Sequence, residues 1–437
     1  MLLSVLVCIA AFAGVVTVLR RDRVSLGLPV AYLGSLLLIH VPGAIAHLLD
    51  KNEILISGRT VTEIGIGMTA IASVCFLVGV WVAHRRTSTP VPRPANRSTY
   101  SRFCLLAGAL ATAMPFLFWI PSVGAVIERG GLIWMLAIIL GLRAALRRQD
   151  KQLVLRWLAA LMIYPVLMLL FGGFMSYGIA SMITVLSAVV VVARSPARVA
   201  VGCVLATIAG MSVFLSYFEH RTAIRGAVWG GAPVEQRVDA SMGAVRDIAL
   251  FDPGNDSHLY ALDLRLNQNV FVGLAAARIE SGQSDYLYGR TVWEGFLSVI
   301  PRALWPDKPI VAGSGSIVAD MTGLQLSKGT SFGVGNVMEF HINFGLPGVV
   351  LGFVFFGWLL GTLDRRATEK DATGELGSTF IFFLPAVALI QPNGSMVEMI
   401  GGATAALIAA YGWRWAWERW PKPVEYSRPV QLSRSLT

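Results

Sequence analysis

Runs of about 20 apolar residues recur along this chain, and they constrain its fold more than any other feature. A helix of that length spans the roughly 30 Å of hydrocarbon in a bilayer. Because 55% of the residues are hydrophobic and only 14% are charged, the composition is that of a membrane protein. The sequence therefore predicts an all-α polytopic membrane protein with about 11 transmembrane helices. Their approximate ranges are 1–19, 25–48, 61–83, 103–122, 131–147, 153–171, 174–193, 199–217, 337–361, 377–391 and 395–413.

The charges between these runs predict the orientation of the chain. Arg20, Arg21 and Arg23 follow the first run and no basic residue precedes it, so we expect an uncleaved anchor with its N-terminus outside. The segments that are then cytoplasmic hold 23 Lys and Arg residues, against 3 in the short outer segments. This difference predicts an outer N-terminus and a cytoplasmic C-terminus. It also explains the pI of 9.7 without nucleic acid, since anionic lipid headgroups are the nearest partners.

One long polar segment, 218–336, interrupts the apolar runs on the predicted outer side. It holds 8 Arg, 2 Lys and 12 acidic residues. A structureless connection of this length is improbable, so we expect a large, partly helical extracytoplasmic loop. Within it, apolar residues at helical spacing over 292–300 predict an amphipathic helix, either in the membrane interface or on the loop's own core. The remaining parts are helices one to eight in 1–217, three helices in 337–413, and a basic cytoplasmic tail, 414–437.

Polar residues within the apolar runs are costly in a membrane, so their positions are informative. In the predicted orientation they gather at the outer ends of the helices, and we expect no comparable set at the cytoplasmic ends. This one-sidedness predicts an outward-facing polar cavity, although each residue alone could be an interfacial side chain that reaches water. No HExxH or other metal-ligand cluster is present, so we expect neither a metal nor another cofactor. The residues are His40, His47, Glu63, Glu339, His341, Asn343, Gln391, Asn393 and Glu398.

Three short sequence blocks follow one another in the loop and in the helix after it. They read YGRT at 288–291, IPRALWPDKP at 300–309 and EFHINFG at 339–345. In this order they resemble the Wzy-type O-antigen and oligosaccharide repeat-unit polymerases, which carry YG(R/K)T, IPR..WP.KP and GE...NFG..G around a large external loop. The resemblance covers about 260–365, whereas 1–217 is similar only in its many helices.

The resemblance implies a metal-independent glycosyltransferase of the bacterial inner membrane with its active site on the extracytoplasmic side. Such an enzyme transfers a glycan from one polyprenyl diphosphate carrier to the non-reducing end of another lipid-linked repeat unit. The polymer would be O-antigen, capsule or exopolysaccharide. The implied partners are the lipid-linked donor and acceptor and membrane lipids, with a chain-length regulator and a flippase as further partners, and no nucleic acid.

Arginine is favoured over lysine in the long loop, and this suits a diphosphate leaving group. A guanidinium binds phosphate in a bidentate manner and can stabilise the charge that develops as the diphosphate leaves. Each arginine could equally pair with one of the loop's acidic residues. Arg302 is also a candidate catalytic residue. The candidate diphosphate-binding residues are Arg265, Arg278, Arg290, Arg302 and Lys308.

The attacking sugar hydroxyl needs a proton acceptor, for which Glu339 and His341 are the catalytic candidates. Being two residues apart on a helix, they do not share a face, so we expect only one to reach the cavity and prefer Glu339. Aromatic residues near the blocks could stack on sugar rings or anchor the chain at the interface. The candidate glycan-binding residues are Tyr288, Trp293, Trp305 and Asn343.

Three other functions remain open at the level of sequence. An O-antigen ligase would use the same donor with lipid A-core as the acceptor. A flippase for lipid-linked oligosaccharides would need charged groups along a central cavity, and few are seen. A non-catalytic envelope assembly subunit is the third alternative.

Overall fold

The computed structural model describes residues 1–22, 25–50, 54–85, 97–113, 123–193, 195–300, 304–305, 307, 314–325 and 332–421. Within these ranges every regular element is a helix, as the sequence predicts. Helix α7 continues as a π-helical turn over Met168–Gly172. The helices are α1 (Leu2–Asp22), α2 (Leu28–Leu49), α3 (Arg59–His84), α4 (Arg97–Thr112), α5 (Val123–Gly131), α6 (Ile133–Arg148), α7 (Lys151–Leu167), α8 (Ser176–Val192), α9 (Pro196–Trp229), α10 (Val234–Arg246), α11 (Asp256–Arg265), α12 (Asn269–Glu280), α13 (Arg290–Ser298), α14 (Ser314–Thr322), α15 (Asn336–Ala372), α16 (Leu376–Ala388) and α17 (Met396–Arg419).

The fold is that of a polytopic helical membrane protein. Two apolar helices, Gly178–Val192 and Leu376–Ala388, are shorter than a full membrane span. The fourth predicted run, 103–122, is described only as far as residue 113. The count of eleven spans and their orientation remain predictions. Eight stretches of the described residues are long and apolar enough to cross a membrane: Leu2–Arg21, Leu28–Leu49, Arg59–His84, Val123–Arg148, Lys151–Gly172, Pro196–Trp229, Asn336–Ala372 and Met396–Arg419.

Helices α2, α3 and α15 form the centre of the bundle. The fully buried ring of Tyr32 on α2 stacks on Phe76 of α3, with ring centroids 4.9 Å apart, and meets Phe356 of α15 edge-on at 4.8 Å. The Tyr32 hydroxyl donates to Oδ1 of Asn336 at 2.7 Å. Because Asn336 is the first residue of α15, this bond attaches the start of α15, three residues before the EFHINFG block, to α2.

The long loop folds back onto the bundle. Helix α11 packs against α2, α12 packs against α3, and α13 packs against α17. Helix α13 confirms the amphipathic helix expected over 292–300. Its glycine, Gly295, lies against Met396 and Ile400 of α17, while Trp293 and Phe296 are exposed.

The predicted ninth transmembrane helix, 337–361, is interrupted. Phe344 (φ −140°, ψ 15°) and Gly345 (φ 63°, ψ −157°) leave the helical conformation inside α15. Pro347 follows within the same segment, where its ring would collide with the carbonyl of Asn343 in an unbroken helix. The EFHINFG block therefore forms a short helical segment that ends in a break, and the longer helical part of α15 begins after it.

Candidate functional site

The YGRT block forms a tight turn that starts α13. Tyr288 (φ 45°) and Gly289 (φ 87°) are both left-handed, and Tyr288 is 80% exposed. Gly289 is the N-cap of α13, and its carbonyl accepts from the backbone N–H of Trp293 at 2.9 Å. A Cβ on Gly289 would lie 2.9 Å from Cζ of Phe344, so the turn is in close contact with the break in α15.

The YGRT and EFHINFG blocks, far apart in sequence, meet in the structure. The backbone N–H of Leu287 donates to the carbonyl of Ile342 at 2.8 Å. Nδ2 of Asn343 donates to the hydroxyl oxygen of Thr291 at 2.7 Å and to the carbonyl of Glu339 at 2.7 Å. Thr291 and Asn343 are both fully buried, so these bonds join the two blocks away from water.

Glu339 lies inside this junction and has no exposed surface. Its Oε2 accepts from the backbone N–H of Met396, the first residue of α17, at 2.7 Å, and its carboxylate also interacts with Thr291. The free N–H groups and positive end of a helix stabilise an anion at that position. Oε1 of Glu339 has no hydrogen-bond partner within the described ranges. The carboxylate therefore links α15 to the start of α17.

His341 occupies a different face of α15 from Glu339, as their spacing predicts. Its side chain is 5% exposed, and Nδ1 has no hydrogen-bond partner in the described part of the chain. The imidazole ring centroid lies 6.2 Å from that of Tyr286. Tyr286 in turn lines the cavity described next. His341 therefore does not line that cavity itself but is next to a residue that does.

A cavity of about 530 Å³ opens where the two blocks meet the break in α15. Its aromatic and amide groups are of the kind that bind sugar rings and hydroxyls. A Cβ on Gly345 would lie 3.2 Å from the Tyr286 hydroxyl, so the glycine allows this approach. The lining residues are Tyr286, Tyr288, Asn343, Phe344, Gly345, Leu346 and Pro347.

None of the candidate cations in the described part of the chain lines this cavity. Arg290, at the start of α13, is exposed and faces Glu294 at 3.6 Å. Arg278 on α12 instead donates to Oε1 of Gln283 at 3.2 Å, within its own turn. Arg302 and Lys308 lie outside the described residues.

Arg265 lies in a separate cationic cluster that the sequence analysis missed. Its half-buried guanidinium is near Arg221 and Arg225 of α9, and together with burial their charges lower its pKa. The sequence signal for this cluster is the arginine pair at i, i+4 directly after the apolar run 199–217, which lies outside the three motif blocks.

The two candidate tryptophans are on the exterior of the described structure. Trp293 is 64% exposed on α13, and Trp305 is 37% exposed. Neither lines the cavity at the junction of the blocks. Both roles proposed for them, sugar stacking and interfacial anchoring, stay open.

His40 and His47 lie in a buried polar network that attaches the loop to the bundle, and not in an open cavity. Nδ1 of His40 is 2.8 Å from Oδ1 of Asn269 at the start of α12. Nε2 of His47 is 3.0 Å from Oδ1 of Asp263 on α11. Burial alone would raise the pKa of Asp263, but hydrogen bonds from His47, Ser57 and Asn267 hold that pKa below its usual value.

Ionisable residues are also buried at the opposite end of the bundle, so the expectation of a one-sided set is wrong. Oδ1 of the fully buried Asp364 accepts from the backbone N–H groups of Leu26 at 3.0 Å and Leu28 at 3.1 Å. Nη1 of Arg143 donates to the carbonyl of Ser25 at 3.0 Å. Asp364 satisfies N–H groups at the start of α2 that hydrocarbon cannot satisfy.

Within the described ranges, no three His, Cys, Asp or Glu side chains are grouped so that they could hold a metal ion. Comparisons with protein-family models, with curated proteins and with solved structures find no match. The assignment of function therefore rests on the site itself.

Proposed function

We propose that this protein is a polysaccharide polymerase, a glycosyltransferase that joins oligosaccharide repeat units carried on polyprenyl diphosphate. The reaction is placed at the outer face of a bacterial inner membrane. The observation that carries the proposal is the junction of the YGRT and EFHINFG blocks. The Thr291–Asn343 and Leu287–Ile342 hydrogen bonds hold the two blocks around a cavity lined by tyrosines and an amide.

In the proposed reaction, a hydroxyl oxygen of the acceptor sugar forms a bond to the anomeric carbon of the donor glycan. The bond from that carbon to the diphosphate oxygen breaks, and its electron pair leaves with the polyprenyl diphosphate. The hydroxyl proton passes to a base on the protein. The charge on the leaving group requires cations. Arg290 is at the junction, and Arg302 and Lys308 of the IPRALWPDKP block remain candidates from the sequence.

The geometry favours His341 over Glu339 as the base. Glu339 is fully buried, and one of its oxygens is occupied by the N–H of Met396. Each residue has one side-chain atom without a described partner, Oε1 of Glu339 and Nδ1 of His341, but of the two it is His341 that lies beside cavity-lining Tyr286. In this assignment Glu339 positions Thr291 and Asn343, and the exposed Tyr288 contacts the glycan.

The proposal is tested with the purified full-length protein in liposomes that contain a lipid-linked repeat unit. A ladder of longer lipid-linked products, with release of polyprenyl diphosphate, is the expected result. A protein that yields no product longer than one unit, although the substrate is intact and accessible, contradicts the proposal. Addition of a lipid A-core acceptor separates a ligase, which would move a single unit to that acceptor and form no ladder.

A further inference from the structure

Three arginine side chains meet where α9 approaches α11. Cζ of Arg221 lies 3.9 Å from the ring centroid of Phe218, and Cζ of Arg265 lies 5.8 Å from the same ring. Arg225 follows Arg221 by one turn of α9, on the same face. Like charges at this spacing repel each other and destabilise the helix unless an anion neutralises them.

No such anion is supplied by the described part of the protein. No described carboxylate lies within 4.0 Å of Arg221, Arg225 or Arg265. Among the described residues, Arg225 donates only to the carbonyl of Gly173 and the hydroxyl of Tyr217, both at 3.4 Å. Nε of Arg265 is buried and has no hydrogen-bond partner in the described ranges.

In a bilayer crossed by the apolar run of α9, Arg221 and Arg225 lie just beyond the hydrocarbon, on the side where lipid phosphates begin. Helix α9 has 34 residues and is on the order of 50 Å long, which exceeds the roughly 30 Å of hydrocarbon. Its apolar run ends near residue 217, so Arg221 and Arg225 follow one and two turns beyond it. Trp229 and Phe174 lie 5.4 and 4.9 Å from Cζ of Arg225, and tryptophan is typical of the headgroup level.

We propose that Arg221, Arg225 and Arg265 form a binding site for the phosphate groups of a membrane lipid. Guanidinium groups are suited to this ligand because each can bind phosphate oxygens in a bidentate manner. The same ligand chemistry has two sources, the diphosphate of a polyprenyl carrier or the headgroup of an anionic phospholipid. Assignment of the carrier rests on the proposed function, whereas phosphate binding itself does not.

The cluster is connected to the junction of the two blocks. Cζ of Arg265 lies 5.7 Å from the ring centroid of Phe332. Three residues later, the N–H of Gly335 donates to the carbonyl of Asn393, in the turn that precedes α17. Segment 332–335 therefore connects the arginine cluster to the turn before α17, the helix whose first residue Glu339 contacts.

The test uses the full-length protein in phosphatidylcholine nanodiscs, to which polyprenyl diphosphate or phosphatidylglycerol is added at equal mole fraction. Binding is measured by lipid-dependent thermal stabilisation and by native mass spectrometry. We expect Arg221→Gln and Arg265→Gln each to weaken lipid binding by about 10-fold or more, the effect of one lost charge-assisted hydrogen bond. Arg246→Gln is the matched control, because Arg246 is an exposed arginine on neighbouring α10.

The ligand-free protein separates binding from a structural role. If the arginines exist to bind an anion, Arg265→Gln in phosphatidylcholine alone has the thermal stability of the unsubstituted protein or a higher one, since one repelling charge is gone. A variant that is less stable in phosphatidylcholine by the same amount as in the anionic lipids would overturn the proposal.

Comparing the two lipids shows which of them supplies the phosphate, the polyprenyl carrier or an anionic phospholipid. Tighter binding of polyprenyl diphosphate than of phosphatidylglycerol assigns the carrier, and equal binding assigns a phospholipid headgroup. Unchanged affinity for both lipids in Arg221→Gln and Arg265→Gln rejects the site. Because the readout is binding, a protein that binds lipid phosphate but forms no polymer would contradict the proposed function and leave this site intact.

Discussion

Oε2 of Glu339 and the backbone nitrogen of Met396 lie 2.7 Å apart, so the carboxylate bonds directly to the first residue of α17. We expect Glu339→Gln to retain this acceptor and to keep activity per folded molecule within about 10-fold. Glu339→Ala leaves a buried N–H unsatisfied and should lower the stability by about 1–3 kcal/mol.

His341→Gln should reduce turnover by at least ~10²-fold, the effect of a lost general base. Chain extension in liposomes and thermal unfolding measure these outcomes. A large loss of turnover in folded Glu339→Gln, with His341→Gln active, would exchange the two roles.

The hydroxyl of Thr291 is the point at which the YGRT turn is bonded to Asn343. Thr291→Val removes this acceptor with little change in shape and should cost about 1–2 kcal/mol of stability. Because Asn343 lines the cavity and loses its orientation, we also expect kcat/KM for chain extension to fall by roughly 10-fold. Thr404→Val is the control, since within the described ranges the Thr404 hydroxyl bonds only to the carbonyl of Ile400 in its own helix. Equal activity of both variants would remove Thr291 from the function of the site.

Gly345 has backbone angles (φ 63°, ψ −157°) that are essentially restricted to glycine. Gly345→Ala should destabilise the protein by about 1–3 kcal/mol and should distort the cavity, because the new methyl group also approaches the Tyr286 hydroxyl. Gly202→Ala in α9 is the control: nothing lies within 4 Å of its Cβ position, and alanine is favoured over glycine in a helix. Thermal unfolding of both variants measures the difference, and an unaffected Gly345→Ala protein would show that the break tolerates a side chain.

The amphipathic pattern over 292–300 predicted a helix where α13 lies, because the helical period is a local property. The face that α13 buries was not predicted, since Thr291 and Gly295 are buried whereas Phe296 is exposed. The break at Phe344 and Gly345 was not predicted, because both residues lie inside a continuous apolar run. Pro347 is a signal for it in the sequence, and the contacts with Tyr286 and Gly289 form only in the fold. The buried Asp364 was missed for a related reason. In sequence it belongs to a charged stretch after a membrane helix, and its role depends on N–H groups of α2 more than 300 residues away.

Asp263 contributes stability in a pH-dependent way. Its hydrogen bonds with His47, Ser57 and Asn267 keep its pKa below the usual value near 4. A lowered folded-state pKa gives stability that is fully present above pH 4 and is lost as the pH falls through the folded-state value. We expect the thermal stability of the unsubstituted protein to exceed that of Asp263→Asn at neutral pH, with the difference shrinking below pH 4. A stability difference that is constant with pH would mean that the charge of Asp263 contributes nothing to the thermal stability.

The charge difference of 23 basic residues against 3 predicts that the turn after α12 is outside the cell and that the α6–α7 connection is inside. Ser281 and Gln152 are exposed positions in these two segments. In a background without the four native cysteines, Ser281→Cys should react with a membrane-impermeant thiol reagent in intact cells. Gln152→Cys should react only after the inner membrane is permeabilised. The opposite pattern would reverse the orientation, and it would move the cavity between the YGRT and EFHINFG blocks to the cytoplasm. Lipid-linked repeat units on the outer face could not then reach that cavity, so this one labelling experiment bears on both the topology and the proposed polymerase.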